Sequence, residues 1–158
     1  MAQDSTPPQA AQARTLAHIS LAVEDAEATA RSYARLFGAT VRSRETLRDR
    51  GLLVVFLDLA GVPLELVQPL DHDDPANTVA KFLKTRGPGL HHLAWFVDDV
   101  QAALDHAREE QARLVDDAPR PGADGCQVAF LHPSAAAGVL HEFVSGGSHA
   151  PPARKENG

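Results

Sequence analysis

At 158 residues the chain is long enough to bury a core without disulfide or metal staples, and its one cysteine, Cys126, cannot close an internal disulfide. A net charge of −6, from 15 basic and 21 acidic residues scattered along the chain, gives no basic face for nucleic acid or an anionic membrane. The apolar runs are far too short to span a bilayer, and the start (MAQDSTPPQA) lacks the basic and apolar regions of a signal peptide, so a cytoplasmic protein is expected.

Residues 1–13 and 147–158, rich in Ala, Pro, Gln, Gly and Ser, read as disordered tails around one domain at 14–146. Residues 15–23 alternate strictly, with Ala17, Ile19, Leu21 and Val23 on one face and His18, Ser20 and Ala22 on the other, which predicts a strand. Asp25 caps a helix carrying Ala26, Ala30, Tyr33 and Phe37 at helical spacing, and Gly38 stops it. Strands follow at about 39–46, 51–60 and 63–69, the last two joined by a turn at Ala60-Gly61-Val62-Pro63. A linker over 71–89 contains a short helix from Thr78 to Arg86.

The order then repeats. A strand at 90–97 leads into a helix capped by Asp99, and strands are expected near 112–117, 125–132 and 138–145. His18-Ile-Ser-Leu-Ala-Val-Glu-Asp answers His92-Leu-Ala-Trp-Phe-Val-Asp-Asp at an offset of 92 − 18 = 74 residues. Leu64-Glu65-Leu66-Val67 answers His141-Glu142-Phe143-Val144 three residues beyond that register. The predicted architecture is α+β: two tandem βαβββ modules, about 14–70 and 90–146, forming a curved eight-stranded mixed sheet around a metal-binding cleft.

Parity selects the candidate ligands. His18, His92, Glu65 and Glu142 all fall opposite the apolar rows that helices must cover, so they point to the uncovered side of the sheet. If the copies close about a pseudo-twofold axis, these four side chains converge. Two imidazoles and two carboxylates suit Zn²⁺, Co²⁺, Ni²⁺, Fe²⁺ or Mn²⁺, and the absence of thiolate disfavours a closed structural zinc site. Four protein ligands leave two positions of an octahedral ion for a bidentate small molecule. The remaining histidines read as ordinary: His91 as a strand-edge residue of the wrong parity, His132 in a turn, His141 on the covered face, and His72, His106 and His149 at the surface.

With these residues in place, the chain resembles the vicinal oxygen chelate (glyoxalase) superfamily. Within it, the methylmalonyl-CoA epimerase family is similar at Leu64-Glu65-Leu66-Val67-Gln68-Pro69-Leu70, Val79-Ala80-Lys81-Phe82-Leu83, Arg86-Gly87-Pro88-Gly89-Leu90-His91-His92, Ala118-Pro119-Arg120-Pro121-Gly122, Phe130-Leu131-His132-Pro133 and Gly138-Val139-Leu140-His141-Glu142. The resemblance implies an epimerase of propionate metabolism that interconverts the 2S and 2R forms of methylmalonyl-CoA by C2 proton abstraction through a metal-stabilised enolate. It implies a divalent ion, Co²⁺ first with Zn²⁺, Ni²⁺ or Mn²⁺ as alternatives, held by His18, Glu65, His92 and Glu142. It also implies an acyl-CoA substrate and a homodimer. By the same resemblance Glu142 is one catalytic base. The family's second base lies in a Glu-Gln-Gly step, aligned here with Asp49-Arg50-Gly51, so Asp49 is the expected partner, with Glu45 four residues earlier as a substitute. The same four ligands would equally serve glyoxalase I (lactoylglutathione lyase) acting on the methylglyoxal–glutathione hemithioacetal, which is the alternative function.

Overall fold

The computed structural model describes residues 6–152 and 154. Among the described residues eight strands and three α-helices run in the order β1 (Thr15–Ala22), α1 (Ala26–Phe37), β2 (Thr40–Leu47), β3 (Leu52–Leu59), β4 (Val62–Pro69), α2 (Thr78–Arg86), β5 (Gly89–Phe96), α3 (Val100–Glu109), β6 (Arg120–Pro121), β7 (Gln127–Leu131) and β8 (His141–Ser145). The α+β pattern of tandem modules expected from the sequence is the observed one. Two compact units divide it, His18–His92 and the residues up to Ala17 together with those from Leu93 onward.

In the first unit the strands lie in the order β2-β3-β4-β1. β1 and β4 are parallel, with Ser20 opposite Glu65, while β3 runs antiparallel to both β2 and β4. Helix α1 covers one face. Its Ala26 and Ala30 pack with Val23, Val55, Leu57, Leu64 and Leu66, joined by Ile19 and Leu21. Asp25 caps it by accepting from the Ala28 N–H, and Gly38 closes it at φ 72° in the left-handed region that only glycine enters freely. The opposite face carries His18, Ser20 and Ala22 from β1. At its far end, Ala22, Val54 and Val67 are covered by Val79 and Leu83 of α2. Asn77 starts α2 and anchors it: its side-chain oxygen accepts from the N–H groups of Val79 and Ala80, and its amide donates to the Gly51 carbonyl at 3.0 Å.

The second unit repeats the plan as β5-β8-β7-β6. β5 and β8 are parallel with Ala94 opposite Glu142, the rung equivalent to Ser20–Glu65, and β7 is antiparallel to β8. Val100, Ala103 and Leu104 of α3 cover Val97 and Ala129, with Phe143 and Leu114 alongside. The strand expected near 112–117 is reduced to one bridge, Leu114 to Leu131, and pairing resumes at Arg120–Pro121. Pro119 and Pro121 lack N–H groups, and a continuous ladder cannot be built through them.

The expected N-terminal tail departs from disorder. A 3-10 turn at Gln9–Ala11 buries Ala11 against α3, and the Asp99 N–H donates to the Ala10 carbonyl. At the other end Arg154 pairs with Asp98 at 2.8 Å, as Arg14 does at 3.0 Å. Residues 1–5, 153 and 155–158 of the expected tails lie outside the described residues.

The β3–β4 hairpin turns through Ala60 and Gly61 at φ 52° and 85°. Two positive φ values define the turn that matches strand twist, and they favour Asn-Gly over Ala-Gly. The Gly61 N–H donates to Asp58, a bond that, with Arg42, holds the Asp58 carboxyl below the usual carboxylate range. Ala60→Asn is expected to raise stability by about 0.5–1 kcal/mol, read as a higher urea midpoint at unchanged slope; an unchanged or lower midpoint would show that Ala60 is not strained.

Candidate metal centre

Among the described residues the buried polar side chains are His18, Ser20, Glu65, Asn77, His92 and Glu142. Asn77 is accounted for as a helix cap, and Ser20 is the rung partner of Glu65. The other four are the residues that the duplicated pattern singled out as ligands. Glu65 and Glu142 are only 7% and 6% exposed. A carboxylate taken that far from water costs several kcal/mol unless positive charge or donated hydrogen bonds replace the lost hydration.

Within the first unit, three of these side chains aim their ligand atoms at one another. The Nε2 atoms of His18 and His92 are 3.1 Å apart, and Glu65 Oε2 lies 3.4 Å from the first and 3.6 Å from the second. Ligand atoms about 2.1 Å from a divalent ion are separated by about 3.0 Å at right angles and about 3.4 Å at tetrahedral angles. The triangle therefore has the dimensions of one face of a coordination polyhedron, and the nitrogen–oxygen donor set fits a borderline divalent ion. Phe56, directly opposite Glu65 in the β3–β4 ladder, packs edge-on against the His18 ring at 5.7 Å and walls the triangle on one side.

His91, which sequence parity had set aside, takes part. Its Nδ1 is 2.8 Å from His92 Nδ1, and its ring packs edge-on against Phe82 at 5.0 Å. With the proton of His92 on Nδ1 and donated to His91, the Nε2 lone pair of His92 is left for the ion. Hydrogen bonding of this kind on the far ring nitrogen fixes both tautomer and ring angle. Neighbouring strand residues ordinarily diverge, so no local sequence signal discloses this contact.

Glu142 lies in the second unit, on β8, between Ala94 and Phe130 in the two adjoining ladders. Its rung is the counterpart of the Glu65 rung, as the repeat predicted. Asp49 is exposed in the 3-10 turn Arg48–Arg50, beyond the last β2–β3 rung at Leu47–Leu52. Glu45 is half-buried and stands directly opposite Val54, and therefore shares a face with Val54, Ala22 and Glu65. A bulge between Val41 and Ser43 produces this: without the extra residue Glu45 would pair one position along and face α1. His132 caps the turn at Pro133–Ala135, His141 accepts from the Trp95 indole at 3.0 Å, and His72 pairs with Glu24 at the surface.

The comparisons with known proteins identify the family of the chain. The model of the Glyoxalase/Bleomycin resistance protein/Dioxygenase superfamily matches residues 17–130. The chain is 38% identical over 130 residues to the ethylmalonyl-CoA/methylmalonyl-CoA epimerase of Cereibacter sphaeroides, covering 81% of this chain and 95% of that protein. It is 37% identical over 129 residues to human mitochondrial methylmalonyl-CoA epimerase, covering 81% and 72%. A variant of Streptomyces coelicolor methylmalonyl-CoA epimerase, solved in complex with 2-nitronate-propionyl-CoA, superposes with a TM-score of 0.80 at 31% identity, covering 89% of this chain and all of that one. The chain belongs to the glyoxalase/bleomycin resistance protein/dioxygenase superfamily and, within it, to the methylmalonyl-CoA epimerases.

The role of His91 is open to test. His91→Phe keeps the packing on Phe82 but removes Nδ1, and is expected to weaken divalent-ion binding about 10-fold to 100-fold by calorimetry. His91→Asn, which keeps an acceptor, is expected to recover most of it. Unchanged affinity in His91→Phe would remove His91 from the site.

Proposed function

We propose that the chain is a metal-dependent epimerase interconverting (2S)- and (2R)-methylmalonyl-CoA. The observation that carries this reading is the buried set His18, Glu65, His92 and Glu142, the two glutamates on equivalent rungs of the two modules, in a chain whose relatives at 37–38% identity are named for that reaction. We take all four as ligands of one divalent ion, Co²⁺ by resemblance. When bound, such an ion supplies positive charge to the oxygens that take up the electron pair released at C2.

The residues of the chain handle the proton. Inversion at C2 requires that one carboxylate accept the proton from one face while a second, already protonated, delivers one to the other. We assign Glu142 to one face; Ala94 and Phe130 beside it keep its carboxylate from bulk water. For the other face we propose Glu45, whose position on the Glu65 face of the ladder supports it, over Asp49, the acid aligned with the family's step. On this reading Glu45→Gln lowers kcat at least about 100-fold with little change in metal affinity, and Asp49→Asn stays within about threefold of the parent. The reverse pattern would return the role to Asp49.

Glyoxalase I chemistry would use the same four donors, and the thioester-named relatives favour the CoA substrate. We further infer a homodimer, on the family resemblance, and a cytoplasmic location, on the acidic chain with a single cysteine. No helix among the described residues is long and apolar enough to cross a membrane. Light scattering is expected to return twice the chain mass of 16.9 kDa.

The direct test is proton NMR of methylmalonyl-CoA in D₂O. Loss of the C2 proton signal is expected with the Co²⁺-loaded protein and not after chelation. If the ion is bound and no exchange occurs while the methylglyoxal–glutathione hemithioacetal is converted, the epimerase reading is overturned.

A further inference from the structure

We propose that Arg120 is a built oxyanion site that holds the carboxylate on C2 of the substrate, and so selects malonyl-type thioesters over plain acyl-CoAs. The inference rests on the epimerase reading and extends it to a residue that the reaction scheme above does not use.

The ladders of the second unit put Arg120 on the same face as Glu142. Glu142 is directly opposite Phe130, Val144 is opposite Val128, and Val128 is opposite Arg120. Residues directly paired, or two apart on one strand, share a face. Packing confirms which face it is, because Val128 and Val144 cluster with Ala94 and Phe96 rather than with α3. Arg120 therefore stands one rung diagonally from Phe130, which itself stands beside Glu142.

The guanidinium is held at two points. Its central carbon lies 5.4 Å from the centroid of the Phe130 ring, and Nε donates to Asp116 Oδ1 at 3.0 Å. The other Asp116 oxygen accepts the Phe130 N–H at 2.9 Å, so cation, ring and carboxylate are tied into one unit. No hydrogen bond from Nη1 or Nη2 is present among the described residues. A guanidinium engaged through Nε keeps that outer pair of nitrogens as a fork matched to a planar oxyanion.

The backbone beneath is equally constrained. Pro119 and Pro121 flank the arginine and restrict φ on both sides. A Cβ on Gly122 would lie 2.7 Å from Val128 Cγ1, so only glycine lets this segment lie against β7. An arginine needed only for solubility requires none of this. A stacked, carboxylate-pinned fork on the face of the proposed base is suited to orienting an anion near the reacting carbon. The substrate offers two kinds of anion, the carboxylate on C2 and the phosphates of CoA. The place of the guanidinium against Phe130, whose rung partner is Glu142, favours the carboxylate.

Equilibrium binding to the metal-loaded protein separates the sources. Three probes are used: methylmalonyl-CoA, propionyl-CoA, which lacks the carboxylate, and methylmalonyl-pantetheine, which lacks the CoA phosphates. Arg120→Gln is expected to weaken the first and third about 10-fold to 100-fold and to leave propionyl-CoA unchanged, with an unaltered melting temperature. Arg120→Lys, which keeps the charge but not the fork, should fall between. Weakened propionyl-CoA with unchanged methylmalonyl-pantetheine would assign the anion to a phosphate and overturn the proposal, and so would unchanged binding of all three. Failure of the epimerase reading itself looks different, because the parent protein would then not bind methylmalonyl-CoA.

Discussion

The constraint on which the site depends is the burial of two carboxylates, one in each unit, where no other acid among the described residues is buried. Glu65 and Glu142 are each more than nine-tenths buried, at rungs that match between the modules. Such a placement is unfavourable for a bare carboxylate and becomes favourable when a dication and imidazole ligands share the charge. The apolar faces packed under α1 and α3 hold the strands in register. The opposite parity of the same strands then delivers His18, Glu65 and Glu142 to their places with no further device.

Duplication supplies the proposed ligands in pairs, but inversion at one carbon is not symmetric, and the modules differ at other positions of the same face. Glu45 stands opposite Val54 in the first unit, and Arg120 stands opposite Val128 in the second. These are equivalent ladder positions two strands from the buried glutamates. One module places an acid there, suited to moving a proton, and the other a guanidinium suited to holding an anion. The local irregularities serve those positions: a bulge turns Glu45 to its face, and a Pro-Arg-Pro-Gly segment replaces a longer strand around Arg120.

Most of the fold was legible because strict alternation and clear caps leave little choice. Asp25 and Asp99 begin helices by the expected side-chain hydrogen bonds, and the burial of His18, Glu65, His92 and Glu142 accords with the strand parity. What could not be read depends on contacts distant in sequence or on a shift of register. The Gln9–Ala11 turn is held by Asp99, nearly ninety residues away, and looks locally like a tail. The face of Glu45 is decided by a one-residue bulge that no alternation pattern reveals. The pairing of His91 with His92 depends on side-chain torsions, and parity argues against it.

We propose His18, Glu65, His92 and Glu142 as the ligands of one divalent ion, and a Co²⁺ titration followed by visible absorption is the decisive measurement. One ion per chain is the expected stoichiometry. His18→Ala and His92→Ala are each expected to abolish tight binding, whereas His72→Ala, at the surface, leaves it intact. Undiminished stoichiometry and affinity in His18→Ala or His92→Ala, with the fold retained by circular dichroism, would contradict the proposal.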